Sequence, residues 1–331
     1  MDLSTHVTRG DVEGAAERLA GLRDAPTAER KDALRRLRAA TDDDPAPAAP
    51  LVDDLAPFLT DDDRSVRLST AKVFAAVAEA EPGRVLSARD DLADRLADEG
   101  EFYYVRARCA EALGYAAVER PEEVASPELL ADLRVGLAFD EPGVRTKLAK
   151  ALEGIALGDP DRLRHQVSAL AEHLDDDEEL VRYHLLTALT VLACEHPERV
   201  AEVREEVADR LGDEDPVVRG RAAETLGVLA QAGTARDGDA DDDSLADRLA
   251  AIEDADDAFL ADRVAFALAA LDGRGTDREF EAVGSVEGVR TTTADAVDAI
   301  TAPDGSECPH CDTVVPPDAP TCPVCGAPRR P

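Results

Sequence analysis

The dipeptide Val-Arg returns along this chain at nearly constant intervals. Its five copies are separated by 39, 39, 37 and 37 residues. A unit of this length that is copied along a chain cannot bury its apolar side alone, and it is stable only when it stacks on its neighbours. The repeat therefore restricts the chain to an array of similar units. The copies are Val66-Arg67, Val105-Arg106, Val144-Arg145, Val181-Arg182 and Val218-Arg219.

Residues at fixed distances from each of these valines have the same character. An acid lies four residues before the valine, and apolar residues lie five, eight and eleven residues after it. These distances place apolar side chains on one side of an α-helix, so each Val-Arg is predicted to begin an amphipathic helix. An alanine always lies twelve residues after the valine, which predicts a close approach between neighbouring helices. The alanines are Ala78, Ala117, Ala156, Ala193 and Ala230.

Another helix is predicted before each Val-Arg helix, and an acidic turn joins the two. Asp215-Pro216 and Glu141-Pro142 are typical of a helix start, with an acidic cap and proline in the first turn. A degenerate sixth unit follows at an offset of 42 residues, with Leu260 in place of the valine. The preceding helices are predicted at 51–59, 85–96, 128–139, 162–174, 200–211 and 244–252.

The chain is predicted to have four parts. Residues 1–45 contain two helical segments that match the repeat poorly, and they are expected to form an N-terminal helical cap. Residues 46–272 form the repeat array. Residues 273–303 are rich in glycine and are expected to form a partly flexible linker with a short helix at 294–300. Residues 304–331 form a separate cysteine-rich module.

The repeat itself resembles a known family. An acidic turn followed by Val-Arg, Ala-Ala, Leu-Gly and Leu-Ala, as in residues 215–230, resembles the HEAT-repeat family and its short-repeat members in particular. The resemblance covers about residues 50–272 and implies an all-α, right-handed α-solenoid of about six helical hairpins. Such solenoids bind partners along a curved face. Some short-repeat members are bilin lyases or DNA-repair glycosylases, and most are scaffolds.

The C-terminus contains two Cys-x-x-Cys pairs that are ten residues apart. This spacing brings four thiolates around one Zn(II) ion, and a site with four sulfur ligands has no open position for catalysis. The module therefore looks like a small zinc ribbon that holds one structural Zn(II), and it is expected to fold only with the metal. His310 is expected to be exposed and not a ligand. The predicted ligands are Cys308, Cys311, Cys322 and Cys325.

The charge of the chain restricts its partners. There are 72 acidic against 37 basic residues, the net charge is −35, and the acids are spread along the chain in runs of aspartate. This composition resembles that of proteins from extreme halophiles, because molar salt screens the repulsion between surface acids. It also opposes DNA binding by the whole surface, so a protein is the favoured partner and nucleic acid the less favoured one. No apolar run is long enough to span a membrane and the N-terminus lacks a signal-peptide pattern, so a cytoplasmic location is expected.

Two columns of basic residues follow the repeat. The arginines of the Val-Arg pairs are predicted to bond carboxylates or carbonyls of the acidic turns in the same or the next unit, which is a structural role. A second column lies three residues after each valine and includes Arg108, Lys147, His184 and Arg221, while Lys72 and Lys150 lie three residues further on. The HEAT resemblance implies that these helices line the concave face. We therefore expect these six residues to make the face locally basic and to bind an acidic segment or a phosphate backbone. The alternative is ordinary solvated charge pairing with Glu111 and Glu224.

No catalytic motif is recognisable. The chain contains no phosphate-binding Gly-x-x-x-x-Gly-Lys loop, no His-Glu-x-x-His helix and no Gly-x-Ser-x-Gly elbow. Cys109 lies in an apolar column and is expected to be a buried, inert residue. The predicted function is therefore a non-enzymatic scaffold or adaptor that binds a protein along the solenoid face. The alternative is an enzyme or nucleic-acid-processing factor, similar to the bilin lyases or the repair glycosylases, that uses a basic groove.

Overall fold

A computed structural model describes residues 1–234, 240–252, 257–273, 280 and 283–301. All regular secondary structure in these ranges is helical, and the long helices follow the repeat. The all-helical repeat array predicted from the sequence is thereby confirmed. The chain divides into two compact units, residues 1–163 (unit 1) and residues 164–331 (unit 2).

Unit 1 contains ten α-helices and four short 3₁₀ segments. The 3₁₀ segments are Ala46–Leu51, Ala56–Thr60, Pro82–Ala88 and Pro160–Arg162. The α-helices are α1 (Leu3–Thr8), α2 (Val12–Leu22), α3 (Thr27–Asp43), α4 (Val52–Leu55), α5 (Arg64–Ala80), α6 (Arg89–Ala97), α7 (Tyr103–Glu119), α8 (Pro121–Val124), α9 (Pro127–Gly136) and α10 (Pro142–Gly158).

The described part of unit 2 contains eight α-helices and two short 3₁₀ segments, Ala201–Val203 and Arg210–Gly212. The α-helices are α11 (Val167–Ala171), α12 (Glu179–Glu195), α13 (Pro197–Val200), α14 (Arg204–Asp209), α15 (Pro216–Gln231), α16 (Ala240–Ala250), α17 (Ala258–Leu271) and α18 (Val286–Thr301).

The five Val-Arg helices predicted from the sequence are present as α5, α7, α10, α12 and α15. Each begins directly after its acidic turn, and the Asp215 carboxylate caps α15 by accepting hydrogen bonds from the backbone N–H groups of Val217 and Val218 at 2.8 and 3.0 Å. Proline occupies the first turn of α10 and α15, as predicted. The five valines of the pairs have no exposed surface, so they anchor the helices in the core.

Successive long helices pack on one another within each unit. In unit 1 the order is α3, α5, α7 and α10, and in unit 2 it is α12, α15 and α17. The approach of α7 to α10 is closest at glycines, because a Cβ on Gly114 would lie 2.5 Å from the Cα of Ala151. A Cβ on Gly154 would collide with the carbonyl oxygen of Gly114. A Cβ on Gly158 would collide with the carbonyl oxygen of Ala117, so the predicted close approach is present at one alanine of the column, and glycines of the facing helix contribute to it.

Most of the helices that precede the long helices are shorter or more broken than predicted, whereas α16 is continuous. The predicted helix at 51–59 is a 3₁₀ segment, the four-residue helix α4 and a second 3₁₀ segment. Pro50 and Pro57 lie in this stretch, and a proline ring removes one backbone donor and crowds the preceding turn. The hairpin of α5 therefore pairs one continuous long helix with an interrupted one, whereas α9 and α16 are continuous helices before α10 and α17.

The N-terminal helix α3 follows the repeat more closely than predicted. It has 17 residues, as α5 does, and it packs on α5. Arg30 lies 37 residues before Arg67, and Leu34 and Leu37 occupy the apolar columns as fully buried residues. The signal was hidden because Glu29 stands in the column of the valines.

The last described helix is longer than predicted. A helix was expected at 294–300, whereas α18 extends over Val286–Thr301 and packs on α12 and α15. The predicted division into four parts otherwise remains a prediction. Residues 302–331, which include the four predicted zinc ligands, lie outside the described residues. Among the described helices, none is both long enough and apolar enough to cross a membrane.

Candidate functional site on the long helices

The arginines of the Val-Arg pairs connect acidic turns. In unit 1 the Arg67 guanidinium donates to both carboxylate oxygens of Glu101, at 2.6 and 2.8 Å, and to the carbonyl oxygen of Asp61 at 2.7 Å. Glu101 belongs to the acidic turn of the next repeat. One guanidinium therefore holds its own turn and the following turn together. Arg30 does the same one repeat earlier, because it bonds the Ala25 carbonyl oxygen and the Asp61 carboxylate.

Unit 2 uses the same device. Arg182 donates to both carboxylate oxygens of Asp213, at 2.7 and 2.8 Å, and to the Asp176 carbonyl oxygen at 2.7 Å. Arg219 in unit 2 and Arg145 in unit 1 also donate to carbonyl oxygens of the turns before their helices. The contact of Arg106 differs, because its Nε donates to the Leu96 carbonyl oxygen at 2.7 Å. The predicted structural role is confirmed for Arg67, Arg145, Arg182 and Arg219, whereas Arg106 bonds a carbonyl oxygen of α6 and not of an acidic turn.

The second basic column lies on what we call the polar face, defined by the residues three and six positions after each valine and after Leu260 of the sixth unit. In unit 1 this face carries Arg108, Glu111, Lys147 and Lys150, which we call the cationic cluster. The three cations gather around the Glu111 carboxylate, with nitrogen–oxygen distances of 2.7 Å for Arg108, 3.5 Å for Lys147 and 3.7 Å for Lys150. The side chain of Glu111 is only 7% exposed, whereas that of Lys150 is 29% exposed. The cluster is therefore a recessed charge network with one accessible lysine edge.

A tyrosine extends the cationic cluster. The Lys150 ammonium donates to the Tyr115 hydroxyl at 2.5 Å, and that hydroxyl donates to the Glu79 carboxylate at 2.5 Å. Burial and the nearby carboxylates of Glu111 and Glu79 raise the pKa of the Tyr115 hydroxyl well above its usual range. Tyr115 therefore remains a neutral hydroxyl that links Lys150 of α10 to Glu79 of α5.

The cationic cluster also changes the protonation of its own members. Burial by itself favours the neutral carboxyl of Glu111, but Lys147, Arg108 and Lys150 outweigh it and hold the pKa of Glu111 far below its usual range. Burial lowers the pKa of Lys147 to about 8, an effect that Glu111 opposes and the neighbouring cations reinforce. At neutral pH Glu111 is ionised and Lys147 is close to its titration range.

In unit 2 the polar face carries a second network, which we call the buried arginine network. The Glu224 carboxylate accepts from Arg221 at 2.6 Å and from Arg263 at 2.9 Å, and Arg221 also donates to the Tyr183 hydroxyl at 2.7 Å. Arg263 lies with its guanidinium 3.3 Å from the ring centroid of Phe259. Neither Arg221 nor Glu224 has exposed surface. This network therefore joins α12, α15 and α17 in the interior of unit 2.

The segment before α18 and α18 itself cover the buried arginine network. The backbone N–H of Gly284 donates to Glu224 at 2.9 Å, and Arg263 donates to the Thr292 hydroxyl at 3.2 Å. The Sγ of Cys194 lies 3.8 Å from the carbonyl oxygen of Gly284. The polar face of unit 2 thus carries a helix of the same chain.

The six predicted partner-binding residues have different positions in the structure. Arg108, Lys147 and Lys150 are brought together in the cationic cluster, and Lys72 is a buried neighbour on α5 whose charge lowers the pKa of Lys147. His184 and Arg221 are 1% and 0% exposed. Both side chains belong to the interior of unit 2 and do not reach solvent there, and the expectation that they bind a partner stays a prediction.

Three residues of the two networks were missed or misjudged in the sequence. Arg263 lies three residues after Leu260, and extending the second column to the sixth repeat would have found it. Glu111 and Glu224 were considered as solvated partners, but both are buried. Their burial depends on the distance between neighbouring helices, which the column pattern does not report.

The two isolated cysteines show no sign of reactivity. Cys109 has no exposed surface, as predicted, and burial raises the pKa of its thiol well above its usual range. Burial and the nearby carboxylates of Glu224 and Glu195 raise the pKa of Cys194 to about 12. Within the described ranges no group of three or more His, Cys, Asp or Glu side chains is placed to hold a metal ion.

Family comparisons agree with the repeat. A family model for HEAT repeats matches residues 89–190, and a model described as sister chromatid cohesion protein PDS5 matches residues 140–255. Residues 89–190 are therefore similar to HEAT repeats, in agreement with the resemblance seen in the sequence. No curated protein matches the sequence.

Solved structures share the fold. An engineered protein from the Northeast Structural Genomics Consortium has a TM-score of 0.65 at 19% identity, with coverage of 91% of this chain and 77% of that chain. A designed armadillo repeat protein in complex with the peptide (KR)4 has a TM-score of 0.56 at 17% identity, with coverage of 66% of this chain and 99% of that chain. At these identities the likeness concerns the fold alone, which is that of helical repeat proteins.

Proposed function

We propose that the chain is a non-enzymatic scaffold that binds an acidic segment of a protein partner along the polar face of unit 1. The observation that carries the proposal is the cationic cluster. Three cations surround one carboxylate there, in a chain whose net charge is −35. Carboxylates of a partner would add to this cluster with favourable charge complementarity, and the acidic remainder of the surface would repel acidic segments elsewhere.

The fold supports binding more than chemistry. Stacked helical hairpins present an extended surface and are the usual framework of peptide-binding repeat proteins. The designed armadillo protein that resembles this chain was solved with a bound peptide, (KR)4. We infer that this chain uses the same kind of framework with the opposite local charge.

The test is a binding measurement with two peptides of opposite charge. A short fluorescein-labelled peptide of alternating Asp and Glu is titrated with the full chain at physiological ionic strength, and (KR)4 serves as the counter-probe. We expect the acidic peptide to bind and the substitution Lys150→Glu to weaken its binding about tenfold, as the loss and reversal of one well-placed charge predicts.

The matched control is Lys31→Glu. Lys31 is the one lysine of the chain outside this region, and it pairs with Asp63 at 3.4 Å on the surface. Circular dichroism melting checks that both variants remain folded. The proposal is wrong if Lys31→Glu weakens binding as much as Lys150→Glu does, or if (KR)4 binds more tightly than the acidic peptide. Binding of a single-stranded oligonucleotide that Lys150→Glu abolishes, without binding of the acidic peptide, would favour the nucleic-acid alternative.

We also propose that the C-terminal cysteines form a structural zinc module that gives the scaffold a second contact surface. The support is the spacing of Cys308, Cys311, Cys322 and Cys325 in the sequence. We expect mass spectrometry of the native protein to find one Zn(II) per chain, and Cys311→Ser to remove it. Cys109→Ser is the matched control and should retain the metal, since Cys109 is buried in the repeat array. A metal-free wild-type protein after purification with zinc in the buffer would refute the module.

A further inference from the structure

The C-terminal helix of the described chain lies on the same kind of face that we propose to bind a partner in unit 1. We propose that α18, with the turn before it, is an intramolecular occupant of the polar face of unit 2, and that a helical segment of a partner takes its place. The partner segment would offer a backbone N–H to Glu224 and a hydroxyl to Arg263. This inference deepens the proposed function and rests on it.

The contacts of α18 are those of a ligand with a receptor surface. They are made to charged side chains of the polar face, since Glu224 accepts from the Gly284 backbone and Arg263 donates to Thr292. Both charged residues come from long helices, α15 and α17, and Arg221 holds Glu224 from the side at 2.6 Å. The groups that make these two contacts are a backbone amide and a hydroxyl. A segment of a partner protein also carries such groups.

The turn before α18 fits its place closely. Gly284 has a φ of +74°, and a Cβ on this residue would collide with the ring of Phe266. The Phe266 ring also lies 5.8 Å, centroid to centroid, from the ring of Phe280 in an edge-on arrangement. The surface of unit 2 therefore selects a turn with glycine at this point, and a competing segment needs the same feature.

The helix α18 has few apolar anchors. Among the residues of α18 whose burial is described, Gly288, Val289 and Ala296 are buried, Val286, Val297 and Ile300 are half-buried, and Ala294 is exposed. Val289 is the one fully buried side chain among them that is larger than a methyl group, and stabilisation is proportional to the apolar surface that is buried. We infer that α18 is held weakly enough to be exchanged for another segment.

The corresponding face of unit 1 shows what the exposed state looks like. The elements that pack extensively on α5, α7 and α10 are the neighbouring long helices and the short segments of their hairpins. There the lysine edge at Lys150 reaches solvent, whereas the charged residues of unit 2 are sealed. The two units thus present one face in two conditions, one open and one occupied by the chain itself.

The experiment releases α18 in the full chain and asks whether the same helix binds in trans. The substitution Val289→Asp places a charge at the buried anchor of α18, and Ala294→Asp makes the same change at an exposed position of the same helix. The probe is a fluorescent synthetic peptide with the sequence of residues 283–301. We expect Val289→Asp protein to bind this peptide at least about tenfold more tightly than wild-type or Ala294→Asp protein does.

Hydrogen exchange with mass spectrometry shows whether the variant remains folded. In Val289→Asp protein we expect the amides of α18 to lose protection while those of α12 and α15 keep it. Equal binding of the peptide by all three proteins would overturn the inference, and so would loss of protection throughout unit 2. The acidic-peptide experiment concerns unit 1 and Lys150, so the failure of one proposal is distinguishable from the failure of the other.

Discussion

At the scale of single residues, Glu224 supplies the negative charge that compensates Arg221 and Arg263 in the buried arginine network. It has no exposed surface and accepts from Arg221, from Arg263 and from the Gly284 backbone. Removing one partner of a buried ion pair leaves the other charge uncompensated in a medium of low dielectric constant. We expect Glu224→Gln to lower the free energy of unfolding by about 3 kcal/mol, measured by urea denaturation.

The matched control for this change is Glu202→Gln. Glu202 forms a pair with Arg199 at 3.3 Å, but its side chain is 59% exposed. Water already screens such a pair, so we expect a change below about 0.5 kcal/mol. Similar losses of unfolding free energy in Glu224→Gln and Glu202→Gln would show that the buried arginine network stabilises the protein no more than a surface ion pair does.

Lys147 gives the stability of the protein a characteristic dependence on pH. Its pKa falls from the usual 10.5 to about 8 in the folded chain, mainly because of burial. Between these two values the unfolded chain binds more protons than the folded chain, so the free energy of unfolding rises with pH in this window. Below about pH 8 both states hold the proton, and the destabilising effect of burying the ammonium is fully present.

The measurement uses the small number of lysines in the chain. There are four, and reductive methylation with ¹³C-formaldehyde makes each of them visible by NMR. We expect one signal, absent in Lys147→Arg, to titrate near pH 8. The free energy of unfolding of the wild type minus that of Lys147→Met should rise with pH between about 8 and 10.5. A Lys147 signal that titrates above pH 10 would contradict the burial described for the cationic cluster.

The sequence predicts which residues belong to these networks better than it predicts what they do there. The second column contains Arg108, Lys147 and Arg221, and all three lie in a charge network. The pattern cannot show that Arg221 is sealed while Lys150 reaches solvent, because this depends on whether a distant segment covers the face. The segment that contacts Glu224 and Arg263 of this network belongs to residues 283–301, which carry no trace of the repeat.

At the scale of helices, the contact between α7 and α10 depends on the absence of a side chain. A Cβ on Gly154 would collide with the carbonyl oxygen of Gly114, and backbone atoms cannot move aside as a flexible side chain does. We expect Gly154→Ala to lower the free energy of unfolding by about 2 kcal/mol, as overpacking in a core does. Thermal or urea denaturation of the full chain measures the change.

The matched control lies in the same helix. A Cβ on Gly143 would meet no atom within 4 Å, so the same substitution there adds no collision. Alanine reduces the entropy of the unfolded chain, and we expect Gly143→Ala to stabilise the protein by up to about 1 kcal/mol. Changes of the same sign at the two positions would show that the close approach does not determine the effect.

The long helices were predictable because several columns agree on each of them. The helices that precede them were harder to predict. Pro50 and Pro57, for example, divide the segment before α5 into short pieces that a periodicity of 3.6 residues does not resolve. The N-terminal helix α3 was assigned to a cap because Glu29 breaks the valine column, although Arg30 keeps the arginine contact. A contact made by one side chain can thus persist where the surrounding pattern is lost.

At the scale of the whole molecule, the excess of acids over bases predicts stabilisation by salt. The chain has a net charge of −35, so surface repulsion outweighs the surface ion pairs that salt also weakens. The Debye length falls from about 10 Å at 0.1 M to about 3 Å at 1 M salt, and we expect most of the rise in melting temperature within this range of KCl. Choline chloride should act similarly if screening is the cause. A melting temperature independent of KCl would contradict the halophilic interpretation of the composition.

The fold of the molecule was predictable from the sequence and its partner was not. A repeated apolar stripe specifies stacked helices whatever they bind, because stacking depends on buried columns such as that of the five valines. Binding depends on a few polar side chains whose exposure is decided by packing. Lys150 and Arg221 illustrate this, because both lie on the polar face, but the side chain of Lys150 is 29% exposed and Arg221 has no exposed surface.

The glycine contact between α7 and α10 also bears on how unit 1 responds to mechanical force. Gly114 and Gly154 leave the two backbones no room to approach further, while the segments that precede these long helices are interrupted by turns and 3₁₀ geometry. We therefore expect the layer of long helices to resist bending at this contact. A bending force on unit 1 should deform the interrupted segments first.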